Sequence, residues 1–123
     1  MAIAGLLLAC AAELQEAPRG PHPYTYAATP VAVASEPPPA QIEDVPPSPG
    51  EGCVWADGYW KWSENTWVWS PGKWLHQQDD CYYADSFMTW VPSAEPHGTL
   101  YYTPGRWYRY ENGDFCAPPP SCR

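Results

Sequence analysis

Apolar and polar residues alternate along Tyr59-Trp60-Lys61-Trp62 and again along Trp67-Val68-Trp69. A period of two marks strands with one buried face, and Ser63-Glu64-Asn65-Thr66 between them supplies a turn. The stretch therefore predicts a hairpin. Centring its turn on Glu64-Asn65 pairs Trp62 with Trp67 and Trp60 with Trp69; centring it on Asn65-Thr66 pairs Trp62 with Trp69 instead. Either register places Trp60, Trp62, Trp67 and Trp69 on one face, with Lys61 and Val68 on the other. A second hairpin is expected over Arg106–Tyr110 and Phe115–Cys116, because Asn112-Gly113 is a strong two-residue turn signal. Centred there, Tyr110 opposes Phe115 and Tyr108 opposes Ala117. Further strands are expected over Ser86–Val91 and Thr99–Thr103.

The pattern aromatic-x-x-Gly-x-Trp occurs three times, at Trp55–Trp60, Trp69–Trp74 and Tyr102–Trp107. A shift of 47 residues superposes Gly58 on Gly105, Trp60 on Trp107 and Glu64-Asn65 on Glu111-Asn112, suggesting two related halves. Pro71-Gly72 and Pro104-Gly105 suit type II turns with a left-handed glycine.

Composition divides the chain. All eight Trp lie between Trp55 and Trp107, whereas ten of the 17 Pro lie between Pro18 and Pro49. Residues 53–123 can therefore build a core, and residues 11–52 read as a disordered or polyproline-like spacer. The net charge of −8 comes with no basic patch or stripe, which argues against a nucleic-acid partner. Met1 to Ala9 is apolar and too short to span a bilayer. Leu7-Leu8-Ala9-Cys10 resembles the lipobox of bacterial lipoprotein signal peptides, which implies cleavage before Cys10 and a diacylglycerol on its thiol. An upstream start codon would lengthen the short leader. Ala11 in place of Asp resembles the enteric signal for outer-membrane sorting. The organisation expected is a signal peptide over 1–9, a lipid-anchored Pro/Glu-rich linker over 10–52 and a Trp-rich domain over 53–123.

Val54-Trp-Ala-Asp-Gly-Tyr-Trp-Lys-Trp, followed by Thr66-Trp-Val-Trp-Ser-Pro-Gly-Lys-Trp74, resembles bacterial proteins with YXWGXW (also written WXXGXW) repeats. The run Gln41–Gly50 resembles the stretch before the first repeat in those proteins. Members are typically small secreted proteins or lipoproteins of unknown function, so the resemblance implies an address and an architecture, not an activity. This chain has Ala-Asp in its first copy where Val-Pro is usual, and Cys53 where Tyr is common. The expected fold is all-β, a small twisted antiparallel sheet of aromatic hairpins stapled by disulfides.

With Cys10 set aside, Cys53, Cys81, Cys116 and Cys122 form an even set in an exported domain, which implies two disulfides and three connectivities. Cys53–Cys81 with Cys116–Cys122 is favoured, because each pair brackets one local unit. No C-x-x-C and no paired His spacing suggests a metal, and no cofactor motif is present. His76-Gln-Gln-Asp79-Asp80-Cys81 holds an acid, a base and a nucleophile but reads as a polar loop with one half-cystine. Glu64 and Glu111 read as solvated turn residues, and His97 as part of a turn. The function expected is therefore a non-enzymatic envelope lipoprotein with a structural or scaffolding role, facing the periplasm or the cell surface. Its partners are the membrane, through Cys10, and a cell-wall glycan or envelope protein. The alternative is a glycan- or peptidoglycan-binding module that uses exposed Trp and Tyr. The two differ in whether the Trp60–Trp69 face is core or platform, and core is favoured, because Leu75 and Leu100 are the sole Leu or Ile after Cys53.

Overall fold

A computed structural model describes residues 14–24, 28–94 and 97–122. These residues form nine strands and no helix. The first hairpin runs through β2 (Cys53–Ala56), β3 (Tyr59–Ser63), β4 (Thr66–Ser70) and β5 (Lys73–His76), after the short β1 (Val31–Val33). Its turn is centred on Glu64 and Asn65, both with positive φ (51° and 61°), the backbone a two-residue primed turn demands. Trp62 thus faces Trp67 and Trp60 faces Trp69. Beyond the break at Asp57-Gly58 and Pro71-Gly72, the same register resumes with Trp55 opposite Trp74 and Cys53 opposite His76. Pro71 helps to explain the break, because it has no N–H to give the ladder.

The second hairpin is built the same way from β6 (Cys81–Ala84), β7 (Phe87–Val91), β8 (Thr99–Thr103) and β9 (Arg106–Arg109). Pairing runs from Cys81 opposite Arg109 to Val91 opposite Thr99, with a break at Asp85-Ser86 and Pro104-Gly105. This corrects the expected second hairpin. Arg106–Arg109 pairs chiefly with β6, and the return past Asn112-Gly113 makes one bridge, Tyr108 to Phe115. The Asn112 side chain accepts from the Asp114 amide (2.9 Å), and the Gly113 amide bonds the Arg109 carbonyl (2.9 Å), so the turn is longer than two residues. The repeat also differs from the 47-residue shift. Cys53-x-x-Ala56-Asp57 matches Cys81-x-x-Ala84-Asp85, and Ser70-Pro-Gly72 matches Thr103-Pro-Gly105.

Described parts of the stretch expected to be a spacer lie on the domain. Trp55 and Ala17 exchange backbone bonds through the Gln15 and Trp55 carbonyls (2.7 and 2.9 Å). Tyr83 and Gly20 do the same through Pro18 and Tyr83 (2.9 and 3.0 Å). The segment 15–20 therefore sits between β2 and β6, parallel to both. On the outer side of β9, the Cys116 amide bonds the Trp107 carbonyl (3.0 Å); on the outer side of β5, the Cys122 amide bonds the Trp74 carbonyl (2.8 Å). Backbone pairing thus runs in a closed ring, from β5 to β2, to 15–20, to β6, to β9, and through the tail back to β5. Ala17, Val54, Leu75, Cys81, Trp107 and Cys116 pack together as its main core.

All four expected cysteines form disulfides, but the pairing is Cys53–Cys122 and Cys81–Cys116. The expected local bracketing is overturned because Cys53 and Cys81 open equivalent strands of separate hairpins. The tail passes each of them in turn while closing the ring.

Candidate functional site

The tryptophans of the first hairpin stack across its strands. Ring centroids are 5.4 Å apart for Trp55–Trp74, 5.2 Å for Trp60–Trp69 and 5.0 Å for Trp62–Trp67, all edge to face. This geometry sets the positive edge of one ring against the negative face of its partner. The two Trp-x-x-Gly-x-Trp copies are antiparallel partners, so the first Trp of each copy opposes the last Trp of the other. The first Trp also roofs the partner's glycine. A Cβ on Gly58 would lie 2.6 Å from the Trp69 ring, and one on Gly72 would lie 3.0 Å from Trp55 Cη2 and 2.9 Å from the Ala56 carbonyl. Gly72 and Gly105 are not among the glycines with positive φ, which corrects the expected left-handed turns. They are small because an aromatic ring lies over them: Trp55 covers Gly72 and Tyr83 covers Gly105.

The Trp60, Trp62, Trp67 and Trp69 face is neither sealed core nor open platform, since all four rings are half-buried. Residues 35–46 of the same chain lie across it and take its hydrogen bonds. Trp67 Nε1 donates to the Ser35 carbonyl (3.1 Å), Trp60 Nε1 to the Pro39 carbonyl (3.1 Å) and Trp74 Nε1 to the Pro46 carbonyl (3.0 Å). Trp69 Nε1 donates to Glu43 Oε2 (3.1 Å), while Glu43 Oε1 accepts the Gly72 amide (2.9 Å). The chemistry is complementary. Indole is a donor with no acceptor, and proline offers a backbone acceptor with no donor. Aromatic grooves that bind Pro-rich peptides use the same match. From the second hairpin, Tyr102 adds an edge-to-face contact with Trp67 at 5.1 Å and donates its hydroxyl to the Trp60 carbonyl at 3.3 Å.

The other sequence candidates scatter. Cys81 is bound in a disulfide, Asp80 pairs with Arg109 at 3.2 Å, and Asp79 accepts from Gln77 at 3.0 Å. Glu64 and Glu111 are both exposed. His76 lies beside Cys53 and Cys122, with ligand atoms of the three within 4.8 Å of one another, but both sulfurs are joined in the disulfide. Cys10 lies outside the described residues.

Fold and site together define a disulfide-stapled β protein made of paired aromatic–glycine motifs. A family model for the WXXGXW repeat, in two copies, matches residues 52–74, so the resemblance read from the sequence holds over that stretch. No curated protein and no solved structure matches the chain.

Sequence reasoning missed Ser35, Pro39, Glu43 and Pro46 as partners of the Trp face. It also missed a degenerate fourth copy of the motif, Tyr83-Ala-Asp-Ser86-Phe-Met88, which opposes Tyr102–Trp107. The Ala-Asp shared with Trp55-Ala56-Asp57-Gly58 was its signal; Ser and Met in place of Gly and Trp concealed it.

Proposed function

We propose that this chain is a non-enzymatic structural protein of the cell envelope, exported, lipidated at Cys10 and held at an outer membrane by that anchor. On this reading the aromatic repeats build a stapled module and do not present an open sugar platform. The observation that carries it is the strap across the Trp face, which already occupies the indole donors of Trp60, Trp67 and Trp69. A glycan stacking on those rings would have to displace residues 35–46. Two disulfides suit an oxidising compartment, and Leu7-Leu8-Ala9-Cys10 motivates the anchor.

The test is expression of the full chain in a Gram-negative host, followed by intact-mass analysis of the membrane fraction and sedimentation with purified cell-wall sacculi. The reading expects a mature chain beginning at a diacylated Cys10, and no sedimentation with sacculi. An unmodified Cys10 would remove the anchor. Co-sedimentation that Trp60→Ala abolishes would put the glycan-binding module first.

A further inference from the structure

The ring of backbone pairing encloses a cavity of about 230 Å³ that opens at the level where both hairpins break. Every segment of the ring contributes to it. Its inner wall is apolar, formed by Ala17, Leu75, Tyr83, Trp107 and the tail prolines Pro118 and Pro119. Four charges lie at the rim: Arg19, Lys73, Asp57 and Asp85. Asp57 and Asp85 hold equivalent places in the two hairpins, and Arg19 engages both. Its Nη2 lies 2.7 Å from Asp57 Oδ2, and its Nε lies 3.9 Å from Asp85 Oδ1. These two carboxylates are therefore committed to one guanidinium. Lys73 alternates with the core residue Leu75 along β5, which puts it on the inward face, opposite Ala56. Among the described residues no carboxylate lies within ion-pair distance of Lys73.

We propose that this lumen binds a small monocarboxylate whose apolar body is about the size of one aromatic ring, with the carboxylate paired to Lys73. Size sets the body: a dry apolar cavity of about 150 Å³ holds benzene, so this one has room for a ring and a head group. The apolar wall disfavours a ligand with hydroxyls on every side, because those groups would be buried without partners. Charge sets the head. An anion at Lys73 meets an uncommitted cation, whereas an ammonium there would face the Lys73 charge while Asp57 and Asp85 are already engaged by Arg19. Burial pushes the Tyr83 hydroxyl well above the usual tyrosine range, with the nearby Tyr59, Tyr102 and Asp85 adding to the effect. Tyr83 thus remains a neutral wall residue throughout the physiological range.

The test uses the intact, disulfide-bonded chain and three ring probes of similar size: benzoate, benzamide and benzylamine. Affinities are read by calorimetry or ligand-observed NMR. Benzoate should bind, with benzamide weaker by roughly two- to five-fold and benzylamine weaker still, the span expected of one partly exposed charge pair. Lys73→Gln changes an exposed side chain and should bring benzoate to the level of benzamide while leaving benzamide unchanged. Ala17→Leu, which fills the lumen, should abolish binding of all three. The proposal is overturned if no probe binds at millimolar concentration. Equal binding of benzoate and benzamide overturns it as well, as does benzoate binding that survives Lys73→Gln.

Discussion

At the scale of single residues, the glycines explain why the repeat has its form. A strand glycine normally weakens a sheet, since it brings backbone entropy and no packing. Here Gly58 and Gly72 lie beneath Trp69 and Trp55, and the ring supplies the apolar cover that the glycine lacks. Any added carbon has to displace an indole already stacked on a second indole. Gly72→Ala should therefore cost about 2–3 kcal/mol, the upper part of the range for overpacking, because the Ala56 carbonyl at 2.9 Å is backbone and yields little. Gly50→Ala, with nothing within 4 Å, should change stability by less than about 0.5 kcal/mol. Urea denaturation midpoints of the two variants check this; equal midpoints would mean that the rings do not lie over Gly72. The sequence marked these glycines through their spacing but assigned Gly72, with Gly105, to a left-handed turn. Their true constraint is the partner strand's ring, and it becomes visible only when the two motifs are read as opposing each other.

At the scale of elements, the first hairpin was legible down to the face that carries its tryptophans. Alternation gave that face, and Glu64-Asn65 left two registers, between which the paired positive φ values decide. In the second hairpin, β7 and β8 fall where strands were expected, but the pairing was not legible, because Asn112-Gly113 gave a strong local signal that long-range pairing overrides. The strand at Arg106 already has a partner in β6, which was hidden because Cys81 was read as the end of a polar loop and Tyr82–Ala84 were assigned to no element. The docking of the Pro-rich segment on the Trp face was not legible for a related reason. Its composition excludes a core of its own, but it needs none where a neighbouring aromatic face lacks acceptors. Glu43 ties this strap to the hairpin through two bonds, one to the Trp69 indole and one to the Gly72 amide at the strand break. Glu43→Gln keeps one carbonyl acceptor and loses the charge, so it should be milder than Glu43→Ala. The Ala variant should lose about 1.5–3 kcal/mol, the range for a hydrogen-bonded charged group. Thermal or urea unfolding of both variants checks the order; a neutral Glu43→Ala would mean that the strap is not held there.

At the scale of the whole molecule, the two disulfides and the amino-terminal segment close one ring. Cys53–Cys122 spans 69 residues and Cys81–Cys116 spans 35, so in the chain-entropy model each contributes on the order of 4 kcal/mol. Together they match or exceed the stability of a typical small domain, and the reduced chain should be largely unfolded at 37 °C. Non-reducing peptide mapping should recover Cys53 with Cys122 and Cys81 with Cys116; a Cys53–Cys81 peptide would contradict the ring. The even cysteine count was readable in advance, but the pairing was not, because proximity along the chain says nothing about where a closing tail passes. The lumen was likewise invisible, since its wall draws on Ala17, Leu75, Trp107 and Pro118 from across the chain. Residues 35–46 belong to the fold as the partner of the Trp face. Hydrogen exchange of the indole Nε1 protons, resolved by NMR in the oxidised full chain, reads this contact at each ring. Exchange should be slow for Trp60, Trp67, Trp69 and Trp74, and fast for Trp90, which is 56 % exposed. Exchange of all five indoles at the rate of free tryptophan would contradict it.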